Sequence, residues 1–256
     1  MDTDIKEMKG VDPFMNAIIN LLKSHRSIRK FTNEPISIEQ REAILQAAQA
    51  ASTSSNMQAY SIIHVTDADL KSQLAELAGN QAYVSECPLF LVWCADLHRY
   101  AEVAHLHVDT PITGNAENFI IATVEAALAA QNAAIAAESL GLGVCYIGGL
   151  RNKPAEVSEL LGLPQLVYPV FGMCIGMPDQ EPLLRPRLPL EAVYHENRYA
   201  YNAPSVDSYD ETIRDYMNVR TDGKVDTTWS KEMAAKAQRP RKHMKAFLSS
   251  QGYEVE

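Results

Sequence analysis

The densest set of chemically able side chains is His25-Arg26-Ser27-Ile28-Arg29, followed by Lys30 and Phe31. Two guanidinium forks, a hydroxyl and an imidazole match the oxygens of a phosphate group. The same residues also suit a solvated basic turn after a helix. A second stretch, Ser52-Thr53-Ser54-Ser55-Asn56-Met57-Gln58, is a run of small polar side chains that forms either a hydrogen-bonding loop or a solvated turn. Gly148-Gly149 lets backbone approach a ligand closely. Arg185-Pro186-Arg187 fixes two guanidinium groups on a stiff, proline-rich segment. Arg220, Lys224, Arg239, Arg241, Lys242 and Lys245 make the tail locally basic, as a second phosphate surface or as ordinary helix faces. His105-x-His107-x-Asp109 would share one face of a strand and suit zinc or iron. It lacks a fourth ligand, so no metal is expected.

These stretches need a scaffold, and the patterning supplies one. Asn118 to Leu140 is rich in Ala, Ile, Leu and Val and holds no Pro, Gly, Lys or Arg. It predicts a helix packed on several sides, interrupted only by Glu125, Gln131, Asn132 and Glu138. Gly141 and Gly143 are expected to stop it, ahead of a buried strand over Val144–Ile147. Asp12 and Pro13 are the expected N-cap and first residue of an amphipathic helix carrying Phe14, Ala17, Ile18, Leu21 and Leu22. Ser37-Ile38-Glu39-Gln40 is a capping box opening a second helix. Strands are expected at Tyr60–Thr66, Leu89–Ala95 and Tyr168–Ile175. Helices are expected at Ala68–Leu77, Pro154–Leu161, Tyr209–Val219 and Arg241–Leu248. His98 to Glu117 reads as less regular. The tail from Tyr194 onward, roughly 60 residues, cannot easily build its own core, so it is expected to wrap the main body or a second subunit.

The chain has 256 residues, of which 46% are hydrophobic, enough for one large domain or two small ones. A formal net charge of -9 argues against general nucleic-acid binding and against an anionic membrane surface. Met1 to Gly10 lacks the apolar run of a secretory signal. Cys87, Cys94, Cys145 and Cys174 form no CxxC pair and read as buried free thiols of a cytoplasmic protein. The dinucleotide, P-loop, nucleophile-elbow and zincin motifs are absent. Read from the residues alone, this is an α/β-type globular chain with several anion-donor loops.

Six stretches in order resemble the nitroreductase family: His25–Phe31 with Glu34-Pro35-Ile36-Ser37, Ala133–Gly143, Tyr146–Asn152, Arg185–Pro189, His195-Glu196-Asn197 and Asp226–Ser230. The resemblance spans Leu22 to Phe247 and is nearest to the NADPH-preferring flavin reductases and oxygen-insensitive nitroreductases. It implies an α+β fold with a central mixed or antiparallel sheet flanked by helices. It also implies an obligate homodimer with embracing C-terminal arms and FMN at the interface. On that basis residues 1–195 would be the FMN-binding core and 196–256 an extension with a mobile NADPH-binding loop. His25, Arg26 and Ser27 would hold the phosphate and ribityl region, and Arg29 the N1/O2 side of the ring. Ser54, Ser55 and Gln81 would hydrogen-bond the flavin. Ile147, Gly148 and Gly149 would run along it, and Arg185 and Arg187 would complete the phosphate clamp. Arg185 stands where relatives carry lysine. Arg220 and Lys224 would meet NADPH, with NADH as a further donor, and Arg239 would lie near the substrate pocket. The implied activity is ping-pong, two-electron reduction of nitroaromatics, quinones or flavins, with no catalytic protein acid or base. The alternative is a dedicated NADPH:FMN reductase supplying free reduced flavin.

Overall fold

A computed structural model describes residues 16–254. The expected cap at Asp12 and Pro13 lies outside the described residues. The first helix there, α1 (Ala17–Lys23), is capped by Asn16, whose side chain accepts from Ile19 N. Helix α2 (Ile38–Gln49) opens with the reciprocal capping box: Ser37 accepts from Gln40 N, and the Gln40 side chain accepts from Ser37 N. Next come β1 (Tyr60–His64), α3 (Ala68–Leu77), α4 (Ala82–Glu86) and β2 (Leu89–Asp96). The chain continues through α5 (His98–Ala104), α6 (Ala116–Ser139), β3 (Gly143–Ile147), α7 (Pro154–Leu160) and β4 (Val167–Gly176). After an extended segment come α8 (Ala203–Thr221), α9 (Trp229–Ala237) and α10 (His243–Ser250).

The four strands form one antiparallel sheet in the order β1-β2-β4-β3, so the mixed alternative is not what the described residues adopt. Every residue of β2 is buried because both faces of the sheet are covered. Leu89, Leu91, Trp93 and Ala95 join one apolar cluster with α2, α6 and α10, while Phe90, Val92 and Cys94 join another with α3 and α7. The four cysteines are buried free thiols.

Helix α6 lies on the sheet through a face of small residues, including Ala122, Ala126, Ala129, Ala130, Ala133 and Ala137. Alanines let the helix backbone approach the strands closely. The expectation of burial on several sides fails within the chain. Ile120 is 55% exposed, Val124 48% and Leu128 44%, forming an apolar stripe one helical turn apart per step. Gly141, at φ 79, ends the helix in the left-handed region, whereas Gly143 opens β3 and has a packing role described below.

The structure sharpens three further expectations. His98 to Glu117, expected to be less regular, contains α5 and the first two residues of α6. His105 is the C-cap of α5 and His107 lies in the following turn, so no strand aligns them with Asp109. No metal-holding cluster occurs among the described residues. The tail also divides. Tyr194, Tyr199 and Tyr201 are exposed along its extended stretch, as are Leu183, Leu184, Leu190 and Val193 in the segment before it. By contrast, α10 returns to the chain's own core through Phe247 and Leu248, and Tyr253 packs edge-on to Tyr168 with ring centroids 5.2 Å apart.

Candidate cofactor site

The basic stretch after α1 is fixed to the sheet edge by its apolar member. Ser27 bridges to Val144, and Ile28 N donates to Val144 O at 2.9 Å. Ile28 is buried in the space that Gly143 leaves. A Cβ built on Gly143 would lie 2.5, 2.7 and 2.9 Å from the Cγ1, Cβ and Cγ2 of Ile28. With Ile28 anchored, His25, Arg26, Ser27 and Arg29 line a cavity of about 190 Å³. The opposite wall comes from the proline-rich segment, with Pro182, Leu183, Arg185 and Arg187, and from α8, with Tyr216 and Arg220.

Five guanidinium groups and one imidazole therefore converge, and no carboxylate is part of the lining. Of these guanidinium groups only Arg185 has a carboxylate partner among the described residues, and such an excess of cations makes an anion site. Arg26 Nε is buried and has no hydrogen-bond partner among the described residues. A buried donor left unpaired costs about 1–3 kcal/mol, so an acceptor from a ligand is favoured there.

Neighbouring groups hold the donors in place. His25 Nδ1 lies 2.6 Å from Glu138 Oε1, which fixes the imidazole at the C-terminal end of α6. Arg29 is exposed, with Nη1 3.5 Å from Ser27 O. Arg185 Nη2 donates to Glu232 Oε2 at 3.1 Å, and Tyr209 Oη donates to Pro186 O at 2.8 Å. Helices α8 and α9 thus brace the Arg185-Pro186-Arg187 wall. Tyr209 is buried against Trp229 with ring centroids 6.0 Å apart, and burial raises its pKa against the opposing charges of Arg185 and Arg187.

The remaining expected residues lie elsewhere. Ile147 puts its side chain into the core, so only its backbone is free to face a ligand. Gly148 is half-buried at the start of a 3-10 turn running to Asn152. Gly149 answers to its own chain, because a Cβ there would strike the Ala78 carbonyl oxygen and come within 2.5 Å of Gln81 Nε2. Gln81 already uses both ends of its amide: Nε2 donates to Ala78 O at 2.6 Å, and Oε1 accepts from Tyr83 Oη. Tyr83, absent from the sequence expectations, links Gln81 to Arg29. Burial and Cys145 raise its pKa, and Arg29 beside it acts in the opposite direction.

Ser54 and Ser55 are exposed on a loop outside the cavity of their own chain. Ser55, Asn56 and Gln58 all have positive φ, at 50°, 61° and 53°. Such conformations cost about 1–3 kcal/mol each and persist only where surroundings over-determine them. Glu125, only 2% exposed in the alanine-rich α6, accepts from Ser54 N at 2.7 Å and Ala59 N at 2.6 Å. Sequence patterning registered Glu125 only as an interruption, although an acid inside an apolar helix is itself the signal of a buried partner. Lys224 and Arg239 are exposed and are not part of the cavity lining.

The nitroreductase family model matches residues 22–177, and the model of the family's C-terminal domain matches residues 185–256. The chain is 44% identical over 247 residues to FMN reductase (NADPH) of Bacillus subtilis, covering 93% of this chain and 99% of the relative. It is 45% identical over 217 residues to oxygen-insensitive NADPH nitroreductase of Salmonella typhimurium, covering 84% of this chain and 89% of the relative. The solved structure of NADPH:FMN oxidoreductase from Vibrio harveyi, complexed with NAD+, superposes with a TM-score of 0.85 at 45% identity, covering 94% of this chain and 100% of that one. With the motifs in sequence order, the antiparallel sheet between helical layers and the arginine-lined cavity beside β3, the chain belongs to the nitroreductase family.

Proposed function

We propose that the chain is an FMN-dependent oxidoreductase that uses NADPH to reduce nitroaromatics, quinones or flavins in two-electron, ping-pong fashion. The observation that carries this reading is the acid-free cavity with five guanidinium groups and an unpartnered Arg26 Nε. That donor set fits the phosphate dianion of FMN. The names of the Bacillus subtilis and Salmonella typhimurium relatives support both the cofactor and the donor.

When bound, FMN supplies the redox chemistry, taking hydride from the nicotinamide and passing two electrons to the acceptor. The chain's part is to bind, orient and tune. His25, Arg26, Ser27, Arg185 and Arg187 hold the phosphate end. Arg29 places a cation where negative charge builds up on the ring, and stabilises it as it forms. Gln81, held by Tyr83 and Ala78, and the backbone at Ile147, Gly148 and Gly149 border the ring. Arg220 shares the cavity with the phosphate clamp, which suits it to the 2′-phosphate of NADPH, with Lys224 on the following loop and Arg239 at the substrate side.

The working unit in this reading is a homodimer in the cytoplasm. The stripe of Ile120, Val124 and Leu128 and the exposed apolar side chains between Leu183 and Tyr201 are faces for a second copy. Ser54 and Ser55 lie outside their own chain's cavity and would serve the partner's flavin. Residues 1–195 then form the cofactor core, and 196–256 the extension carrying the donor loop. A second reading, a dedicated NADPH:FMN reductase supplying free reduced flavin, is favoured by the activity named for the Bacillus subtilis relative. Turnover with free FMN against turnover with a quinone or nitrofuran separates the two.

The test is the visible spectrum of the purified protein before and after anaerobic NADPH. Flavin bands that bleach with NADPH and return with a quinone are expected. Colourless protein that also takes up no added FMN would overturn the reading.

A further inference from the structure

We propose that Glu125 is the positioning residue for the Ser54–Ala59 loop, holding it in the conformation that meets the flavin. The proposal rests on the cofactor reading above and adds a residue that is not part of the cavity lining. Its carboxylate is buried in a helix otherwise packed through alanine, and among the described residues it forms no ion pair. What it does accept is the two backbone N–H groups at the two ends of the loop, at 2.7 Å from Ser54 and 2.6 Å from Ala59. Hydrogen bonds to an ionised acceptor are the short, strong class, and two of them satisfy an anion that apolar surroundings would otherwise expel.

The geometry is that of a clamp across the loop's base. Between the two amides lie the three left-handed residues, Ser55, Asn56 and Gln58, whose backbone is disfavoured without external restraint. The loop's other ties are Asp96 N donating to Ala59 O at 2.9 Å, Arg99 Nη1 to Gln58 O at 3.2 Å, Met57 N to Ser54 O at 2.9 Å, and the Gln58 side-chain amide to Asn56. None of them engages the N–H of Ser54 or Ala59, for which Glu125 is the sole acceptor among the described residues. Glu125 also sits beside Val124 in α6, next to the apolar stripe, so the loop is registered on the same helix that presents the subunit face.

The test compares the parent with Glu125→Gln and Thr123→Val. Gln keeps the shape but offers one accepting oxygen, turning an NH2 toward the second amide. Thr123 also sits on α6, where its hydroxyl bonds Tyr168 Oη away from the loop, so its valine variant controls for lost stability. FMN dissociation constants are measured well below the melting temperature, with the dimer checked by light scattering and amide hydrogen exchange followed at Ser54 and Ala59. Glu125→Gln is expected to weaken FMN at least tenfold and to speed exchange at those two amides, while Thr123→Val lowers the melting temperature and binds FMN as the parent does. Glu125→Asp, one methylene short of spanning both amides, is expected to fall between. A folded Glu125→Gln that binds FMN like the parent overturns the proposal and leaves the cofactor reading standing. Failure of both Glu125 variants to fold would assign the residue to the core and also overturn it. A parent that binds no FMN removes both.

Discussion

Gly143→Ala tests whether the phosphate clamp is placed by packing behind it. The new methyl would sit 2.5 to 2.9 Å from three carbons of Ile28, where ordinary carbon contacts are about 3.5–4.0 Å. A rotamer change cannot relieve this, because the Ile28 Cβ itself is 2.7 Å away and β-branching keeps the side chain stiff. Roughly 1 Å of backbone displacement is needed to restore an ordinary contact. Overpacking of this kind costs about 1–3 kcal/mol. The movable partner is the strip from His25 to Arg29, held here by the Ile28 N to Val144 O bond. If the strip yields and the cost falls on the clamp, FMN binding weakens about 5- to 150-fold, at about 1.4 kcal/mol per tenfold. If the apo protein bears it instead, the melting temperature drops by about 2–4 °C per kcal/mol. Fluorescence titration of FMN and thermal unfolding read the two shares. Gly141→Ala is the control: it stands at φ 79 with nothing within 4 Å of its added Cβ, so it strains the backbone and leaves FMN affinity alone. A Gly143→Ala protein with parental FMN affinity and parental melting temperature would refute the packing argument.

Two further outcomes follow from the geometry. Arg220→Ala should raise KM for NADPH about tenfold or more and leave KM for NADH nearly unchanged, since only NADPH carries the phosphate that the guanidinium would meet; equal effects on both donors would remove Arg220 from that role. The native thiols should be silent to an aromatic disulfide reagent at pH 8, with four reacting after denaturation. Burial, aided by the charge of Asp96, pushes Cys94 up to about 12, and burial also raises Cys145. A hydrogen bond from Cys174 lowers Cys87, but Cys87 is fully buried; a native thiol reacting faster than global unfolding would show that the sheet opens locally.

Much of the frame was legible in the sequence because it depends on neighbours in the chain. The capping box at Ser37, the continuous apolar run of β2, the alanine pattern of α6 and the left-handed stop at Gly141 are all short-range effects. The types of the anion donors at 25–29 and 185–187 were equally plain. That they face one another was not, because their meeting depends on Ile28 docking at Gly143 and on α8 and α9 bracing the proline-rich wall. Helix α5 escaped notice because its capping position carries Leu97, which forms no side-chain cap. Gln81 was named by residue type alone, and only the fold reveals that Ala78 and Tyr83 take one donor and one acceptor site of its amide and so set its orientation. Glu125 is the sharpest case. Composition marks it as an acid in the wrong place, but which backbone amides it accepts depends on the path of a loop from a distant part of the chain. Periodicity and caps are local and survive in the sequence; the partner of a buried charge is a tertiary fact.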